Sequence, residues 1–344
     1  MSRPQVLFYH HGRFTLAGAV LPDAVTAYRT YGDPKNPAIV FPTCYTGRLD
    51  NFGCIGQDYM IGEDKVLNPS KYYIVTFGLF SNGESSSPSN TPAPYDGPNF
   101  PKVTYEDNIR AQHAVLTKKL GLEKIYAVIG FSMGAMQAYY WAAMYPQFIA
   151  LCGAAKTSDH SKAMIAGLKS VMVNSTDFHG GHYTRQATQG IRSFCRFYRK
   201  KMFLFNGMYN DVDNFLRGEW EDGYLAAWDA NDLLVLLETW NLGDISKLDV
   251  HSVRDVSLRT KEEKVIGDGN LEAALGRIRP KGLIMPCNTD LFFTPEDNEA
   301  ELKHMKNARM VVINSDWGHQ AAAGLNDADD AFIKEEVNKF LEEQ

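Results

Sequence analysis

No run of about eighteen apolar residues occurs anywhere in the sequence, so no segment is expected to span a bilayer as a helix. The opening Met-Ser-Arg-Pro-Gln-Val has no long apolar stretch behind it, and the chain reads as soluble, unsecreted and cytoplasmic. Basic charge is not in excess either: 35 Lys and Arg face 41 Asp and Glu, a formal net charge of −6. Such a balance lacks the electrostatic footprint for nucleic acid or an anionic membrane, and neither is expected as a partner. Cysteine is scarce. The five thiols, Cys44, Cys54, Cys152, Cys195 and Cys287, are odd in number, widely spaced and without a C-x-x-C pair. That pattern argues against a disulfide framework and a structural zinc site, and it suits reduced thiols in a cytosol. Neither an internal repeat nor a low-complexity tract stands out.

What the sequence does have is apolar content, 44% of 344 residues, enough for one large core and for an α/β domain carrying an insertion. The chain is organised around the stretch from Ile125 to Gln137. A short buried strand, Tyr126 to Ile129, breaks at Gly130, and a Met/Ala/Tyr/Trp-rich helix from Met133 to Met144 follows. Between them lies Gly130-Phe131-Ser132-Met133-Gly134, a G-x-S-x-G pattern in its strand-to-helix context. The turn must be tight enough that side chains at 130 and 134 would collide with the neighbouring elements. Ser132 then stands on a strained turn at the carboxyl edge of a sheet. A Gly-Ser turn closing a βα unit can also be purely structural, and a serine hydroxyl is a weak nucleophile unless a base and an oxyanion site converge on it.

The rest of the chain supplies a frame for such a site. Phe14 to Val20, Val25 to Tyr31 and the wholly apolar Ala38 to Phe41 read as strands, the last of them central. Tyr73 to Phe77 is another, leading into a long Ser/Asn/Pro-rich loop from Gly78 to Pro101 that should be functional or packed on itself. Thr104-x-x-Asp107 opens a helix that Gly121 closes. Strand and helix alternating in this order imply a doubly wound, mostly parallel sheet, with ligands beyond its carboxyl ends. From 156 to 278 the strand pattern gives way to helical stretches, Ser161 to Val173, Arg185 to Phe203 and Asn231 to Trp240, read as an inserted helical lid. Core residues 1–155 therefore resume at 279–344, with strands at Gly282–Pro286 and Met310–Ile313. A last helix has Ile333, Val337, Phe340 and Leu341 on one face.

A nucleophilic serine needs a histidine base oriented by a carboxylate, each in a loop after a late strand. Asp290 follows the strand at Gly282–Pro286 and His319 follows the one at Met310–Ile313, giving the order Ser132, Asp290, His319. Asp316 and Asp297 compete for the imidazole, but Asp316 shares the loop of His319 and Asp297 falls inside the next helix, which favours Asp290. Cys44 near the active edge reads as a small buried residue rather than a thiol nucleophile. His179-Gly-Gly-His182 lacks a third ligand at useful spacing and reads as a turn, so no metal is expected. Two backbone N–H donors should complete the site: Met133, directly after the serine, and Tyr45 in the loop Pro42–Gly47.

The segment from Ser132 through Met136-Gln137 to Trp141, the loops Tyr45-Thr-Gly47 and Ser85–Pro92, Asp107 and Gln112 resemble the homoserine O-acetyltransferase family of α/β-hydrolases. Gly180-Gly181-His182-Tyr183, Asp229-Ala-Asn231, Asp290-Leu-Phe and Gly318-His319 extend the likeness over nearly the whole chain. The resemblance implies the α/β-hydrolase fold, acyl transfer through serine, histidine and aspartate, and a homodimer joined by its lid helices. Departures from the family pattern bear on substrate. Phe131 and Ala135 replace glycines beside the serine, Gln320 stands where an aspartate binds the homoserine amino group, and the substrate-binding arginine of the lid becomes Lys169 or is missing. Gln320 and Phe131 are accordingly the substrate-side candidates, and the chain looks more like the family's short-chain esterases.

The expected activity is that of a serine carboxylesterase acting on small, mostly uncharged esters through an acyl-enzyme, with no cofactor. One rival is an acyl-CoA-dependent O-acyltransferase, for which the basic run Arg196-Phe-Tyr-Arg199-Lys200-Lys201 could clamp phosphates, although on a helix those charges spread around the surface, which favours a solvated face. Another is a non-catalytic binding protein on a hydrolase fold.

Overall fold

A computed structural model describes residues 4–49, 57–144, 148–198, 212–248 and 269–343. Its strands in chain order are β1 (Leu7–His10), β2 (Phe14–Thr15), β3 (Val20–Leu21), β4 (Val25–Tyr31), β5 (Ala38–Pro42), β6 (Tyr73–Phe77), β7 (Ala127–Phe131), β8 (Phe148–Leu151), β9 (Gly282–Met285) and β10 (Ala308–Met310). The helices are α1 (Tyr105–Ala114), α2 (Met133–Met144), α3 (Asp159–Val173), α4 (Thr188–Tyr198), α5 (Val212–Phe215), α6 (Asp222–Ala227), α7 (Ala230–Asn241), α8 (Leu271–Gly276), α9 (Pro295–Leu302) and α10 (Asp327–Glu342). Among the described residues eight strands form one sheet in the order β1-β4-β6-β5-β7-β8-β9-β10. Strand β4 pairs antiparallel with β1 and β6, and the pairs from β6 to β10 are parallel. The parallel strands β5 to β9 are buried along their whole length, as strands covered on both faces must be, which is why they read as continuous apolar runs.

Strand β5 lies between β6 and β7, so the chain leaves it on one side and returns on the other. The loops after β5 and β7 thus flank the point where the winding reverses, the place where open α/β sheets bind ligands. Several elements follow local rules. Thr104 and Asp107 cap α1 reciprocally, Gly121 ends the segment at φ 66°, and Ile333, Val337, Phe340 and Leu341 are the buried stripe of α10. The loop from Gly78 to Pro101 is packed on itself. Asn82 Oδ1 accepts from the N–H groups of Glu84 and Ser85, and Asn90 bridges the N–H of Ser87 and the carbonyl of Ser85.

Other expectations are corrected. Phe14–Val20 is not one strand: a turn at Ala17-Gly18, closed by Leu16 N–H on the Ala19 carbonyl, folds it into the small β2–β3 hairpin. The strand that extends the sheet beyond β4 is β1, and its alternation is blurred because Leu7 and Phe8 are both exposed on the edge. Strand β8, only four residues long and absent from the expected strands although Pro146 and Gly153 flank it in the sequence, fills the gap between β7 and β9. Strand β10 begins two residues earlier than expected. Past Met310 the pairing continues through single bonds, Val311 N–H to Ile284 and Ile313 N–H to Pro286.

Between β8 and β9 lie the described helices α3 to α8, in the stretch read above as an insertion and called so below. Its helices α3 and α7 begin and end close to the positions read from the sequence, while the expected helix Arg185–Phe203 is observed as Thr188–Tyr198, with residues 199–203 outside the described part. The end of α7 returns to the core: Asp244 N–H donates to Tyr140 Oη at 3.0 Å, and Ile245 N–H to the Ala155 carbonyl at 3.1 Å. No helix among the described residues is long and apolar enough to cross a membrane.

Candidate active site

The turn between β7 and α2 leaves no freedom in its glycines. A Cβ on Gly130 would lie 2.0 Å from the Gly134 carbonyl oxygen, and one on Gly134 would lie 2.9 Å from that of Pro42. Ser132 itself adopts φ 56°, a left-handed conformation unusual for a residue with a Cβ. Its N–H is committed to the Leu151 carbonyl at 3.0 Å, which fixes the backbone against the end of β8. Met133 opens α2, where helix geometry leaves its N–H without an intrahelical acceptor. Where the family pattern has a glycine, Ala135 is accommodated by Gly153, at which a Cβ would come within 2.3 Å of the Ala135 methyl group. Nothing local to either residue announces that exchange of volume.

Asp290 and His319 reach Ser132 from two loops cross-linked to each other. Asn288 N–H donates to the Ile313 carbonyl, Ser315 N–H to Asn288 Oδ1, and Gly318 N–H to Thr289 Oγ1. Gly318 turns at φ 58°, a conformation open to glycine, and presents His319 at the start of a short 3-10 turn. The Asp290 carboxylate is held by two backbone donors, Phe292 N–H at 2.8 Å and Phe293 N–H at 3.3 Å, both on Oδ1. Oδ2 lies 2.7 Å from His319 Nδ1, and His319 Nε2 lies 2.8 Å from Ser132 Oγ. With a carboxylate facing Nδ1, that nitrogen carries the ring proton, so Nε2 is the lone-pair side and accepts from the serine hydroxyl. All three residues are buried, Ser132 5% exposed and His319 7%.

The rival carboxylates do not compete. Asp297 lies in α9 with an oxygen 3.9 Å from His160, and the His319 contact belongs to Asp290, not Asp316. Three phenylalanines wall the imidazole: Phe131 and Phe292 with ring centroids at 5.0 Å, and Phe293 at 5.6 Å. Phe131, the residue in place of a glycine, is therefore a wall of the site, while Phe292 and Phe293 went unassigned because Asp290-Leu-Phe-Phe reads as an ordinary apolar run. Trp240 of α7 stacks on Phe293, and Tyr198 of α4 stacks on Phe292. The insertion thus extends an aromatic surface from the site. Gln320 is buried beside His319, and among the described residues its carboxamide has no hydrogen-bond partner. Lys169 is not brought to the site. It is half-exposed and pairs with Glu238 at 3.7 Å.

Tyr45 stands in the loop after β5, whose root is pinned by the core. Thr43 N–H donates to Phe77, Leu79 N–H to Thr43 Oγ1, and Gln137 Nε2 to the Thr43 carbonyl at 2.9 Å. Gln137 in turn accepts from Gln112, and Gln112 from the Trp141 indole, a buried relay that explains all three polar side chains. Cys44 is buried with its thiol donating to the Tyr45 carbonyl, and burial raises the thiol pKa of Cys152 and Cys287, with Asp290 adding to the effect. Of the basic run, Arg196 is paired with Glu221 at 2.5 Å, and residues 199–201 lie outside the described part. No group of three metal-ligating side chains occurs among the described residues.

Comparison with known proteins agrees with this architecture. A family model for the alpha/beta hydrolase fold matches residues 37–222. The chain is 31% identical to an ethyl acetate hydrolase of Pseudomonas veronii, over 97% of this chain and 96% of that protein. It is 27% identical to a homoserine O-acetyltransferase of Deferribacter desulfuricans, over 94% and 92%. Among solved structures, an acetylester hydrolase from Corynebacterium glutamicum superposes with a TM-score of 0.85 at 26% identity, covering 98% of this chain and 96% of that one. With a serine at the β7–α2 turn, an imidazole and a carboxylate on the loops after β10 and β9, and relatives matched over nearly their whole length, the chain belongs to the α/β-hydrolase family, in the group that joins acetate esterases to homoserine O-acetyltransferases.

Proposed function

We propose that the protein is a serine carboxylesterase that hydrolyses small acetate-type esters. The observation that carries the reading is the continuous chain Ser132 Oγ–His319 Nε2–Asp290 at 2.8 and 2.7 Å. Ser132 Oγ attacks the ester carbonyl while His319 takes its proton, and Asp290 stabilises the imidazolium in the orientation it already has. The oxyanion is received by the N–H groups of Met133 and Tyr45. Collapse breaks the C–O bond, the alcohol leaves with the proton from His319, and water activated by the same imidazole releases the acid. The relatives matched over nearly their full length include an ethyl acetate hydrolase, which supports an acetyl group as the acyl part.

Hydrolysis is favoured over transfer by the groups that would hold an amino-acid acceptor. Gln320 is an uncharged amide where a carboxylate would anchor an ammonium, and Lys169 is engaged with Glu238. Loss of a charge-assisted contact costs about 1.5–3 kcal/mol, roughly ten- to a hundredfold in acceptor affinity, and water then wins at ordinary acceptor concentrations. Product analysis by mass spectrometry is the test. Steady hydrolysis of acetate esters is expected, and faster formation of acetyl-homoserine from acetyl-CoA and homoserine would replace this reading with the transferase.

The insertion acts as the lid of this site, and the chain works as a cytoplasmic homodimer joined through it. Val173 on α3 and Phe197 on α4 leave apolar surface exposed there, and the four described cysteines are all buried and free. Light scattering of the purified chain and of Phe197→Glu distinguishes a lid-mediated dimer from a monomer.

A further inference from the structure

The loop after β5 is held in two ways. Its root at Thr43 is fixed by β6 and α2, as described, and its far limb rests on the next loop, with Leu49 N–H donating to both Glu84 oxygens at 2.9 and 2.8 Å. The tip between them, Tyr45 and Thr46, is gripped by the insertion. Tyr45 Oη donates to the Leu233 carbonyl of α7 at 3.2 Å, and its ring packs on Tyr198 of α4 and Trp240 of α7, centroids 5.6 and 6.1 Å away. Tyr224 Oη of α6 donates to Thr46 Oγ1 at 3.3 Å. Arg48, two residues past the tip, donates to the Ala227 carbonyl at 3.1 Å. Thr46 meanwhile adopts φ 59°, a left-handed conformation that a β-branched residue keeps only when its surroundings impose it.

We infer that Tyr224 and the phenol of Tyr45 are positioning residues through which the docked lid sets the Tyr45 amide that receives the oxyanion. The inference rests on the proposed role of that amide. An oxyanion donor is effective only within a few tenths of an ångström of the developing charge, because the hole is preorganised rather than induced. A tip whose turn is unfavourable on its own relaxes when the lid contacts are removed, and the amide swings with it. Lid docking and completion of the oxyanion site are then one event, so a carbonyl is polarised only when the aromatic walls from α4 and α7 are also in place.

The test compares Tyr45→Phe and Tyr224→Phe, each lacking one hydroxyl, with the unmodified chain. For an activated acetate ester, kcat should fall about tenfold in each variant, less than the loss of a whole donor because the amide is displaced rather than removed, with KM within about twofold. A trifluoromethyl ketone, which adds to Ser132 and places an oxyanion in the hole, should weaken by the same factor. The matching methyl ketone, which binds without adding, should not. Wild-type kcat in both variants, or equal weakening of the two ketones, overturns the inference, since contacts that merely stabilise the fold would move both ligands together. If one variant does not fold, the ketone ratio in the other decides. Ser132→Ala separates this from the underlying reading: turnover surviving in that variant overturns both, whereas an inactive Ser132→Ala beside unaffected tyrosine variants overturns the positioning role alone.

Discussion

Two sets of loops at the same sheet edge are built differently. Those after β9 and β10, which carry Asp290 and His319, are tied to each other by backbone N–H groups that donate to the Ile313 carbonyl and to the Asn288 and Thr289 side chains, with Ser161 Oγ of α3 adding a bond to the Phe292 carbonyl at 2.7 Å, and the turn bearing Ser132 is locked by Gly130 and by the Leu151 carbonyl. The loop after β5 shares this support only at its two limbs, while its tip hangs on side chains and carbonyls of the insertion. The Ser132–His319–Asp290 geometry therefore rests mainly on the core, with one buried bond and aromatic packing from the insertion, whereas the tip of the loop after β5 is positioned by the insertion.

The sharpest break is Ser132→Ala, which should lower kcat on an activated acetate ester by roughly 10⁶. Its melting curve should hardly move, because the hydroxyl's main partner is the imidazole beside it. Next comes Asp290→Asn, expected to cost about 10⁴ in kcat by favouring the wrong imidazole tautomer. Asp316→Asn is its control and should be nearly silent; the opposite ranking in steady-state kinetics would falsify the carboxylate assignment.

Gln137→Leu tests whether the root of the β5 loop is as firmly held as the Asp290 and His319 loops. It strands the Gln112 amide N–H₂ and the Thr43 carbonyl, both buried, at a cost of about 1–3 kcal/mol per unsatisfied group. Urea titration should show the loss of stability, with kcat falling as well because the loop root is freed.

The smallest effect concerns pH. Glu301 accepts from Ala155 N–H at 2.9 Å where the chain passes from β8 to the insertion, and burial raises its pKa to about 7. A carboxyl whose folded pKa lies above its unfolded value gives stability that is complete below the unfolded pKa, near 4.5, and is lost as pH rises through about 7. Asp232, also raised to about 7 by burial despite two hydrogen bonds from Ser89, acts in the same direction. Melting temperature should thus decline from pH 5 to 8, and Glu301→Gln should flatten part of that decline. An unchanged slope in the variant would assign the pH dependence elsewhere.

Much of this architecture is written locally. The buried strands β5, β6 and β9 appear as unbroken apolar runs, the Thr104–Asp107 cap and the α10 stripe follow helix spacing, and Gly130-x-Ser132-x-Gly134 announces its turn because sterics within five residues demand it. The order of Ser132, Asp290 and His319 could be read for the same reason, since each follows a recognisable strand. What only the tertiary structure decided depends on residues distant in sequence meeting in space. β1 and β8 are defined by their neighbours rather than by their own four residues, and Ala135 is tolerated because Gly153 faces it. Phe292 and Phe293 become walls of the site only when His319 is folded between them, and Lys169 is drawn to Glu238 because α3 lies beside α7. The grip of Leu233 and Tyr224 on the loop after β5 spans 188 and 178 residues. Local sterics and periodicity act over a turn or a strand, whereas contacts across such separations carry no pattern in the sequence until packing of the whole chain creates them.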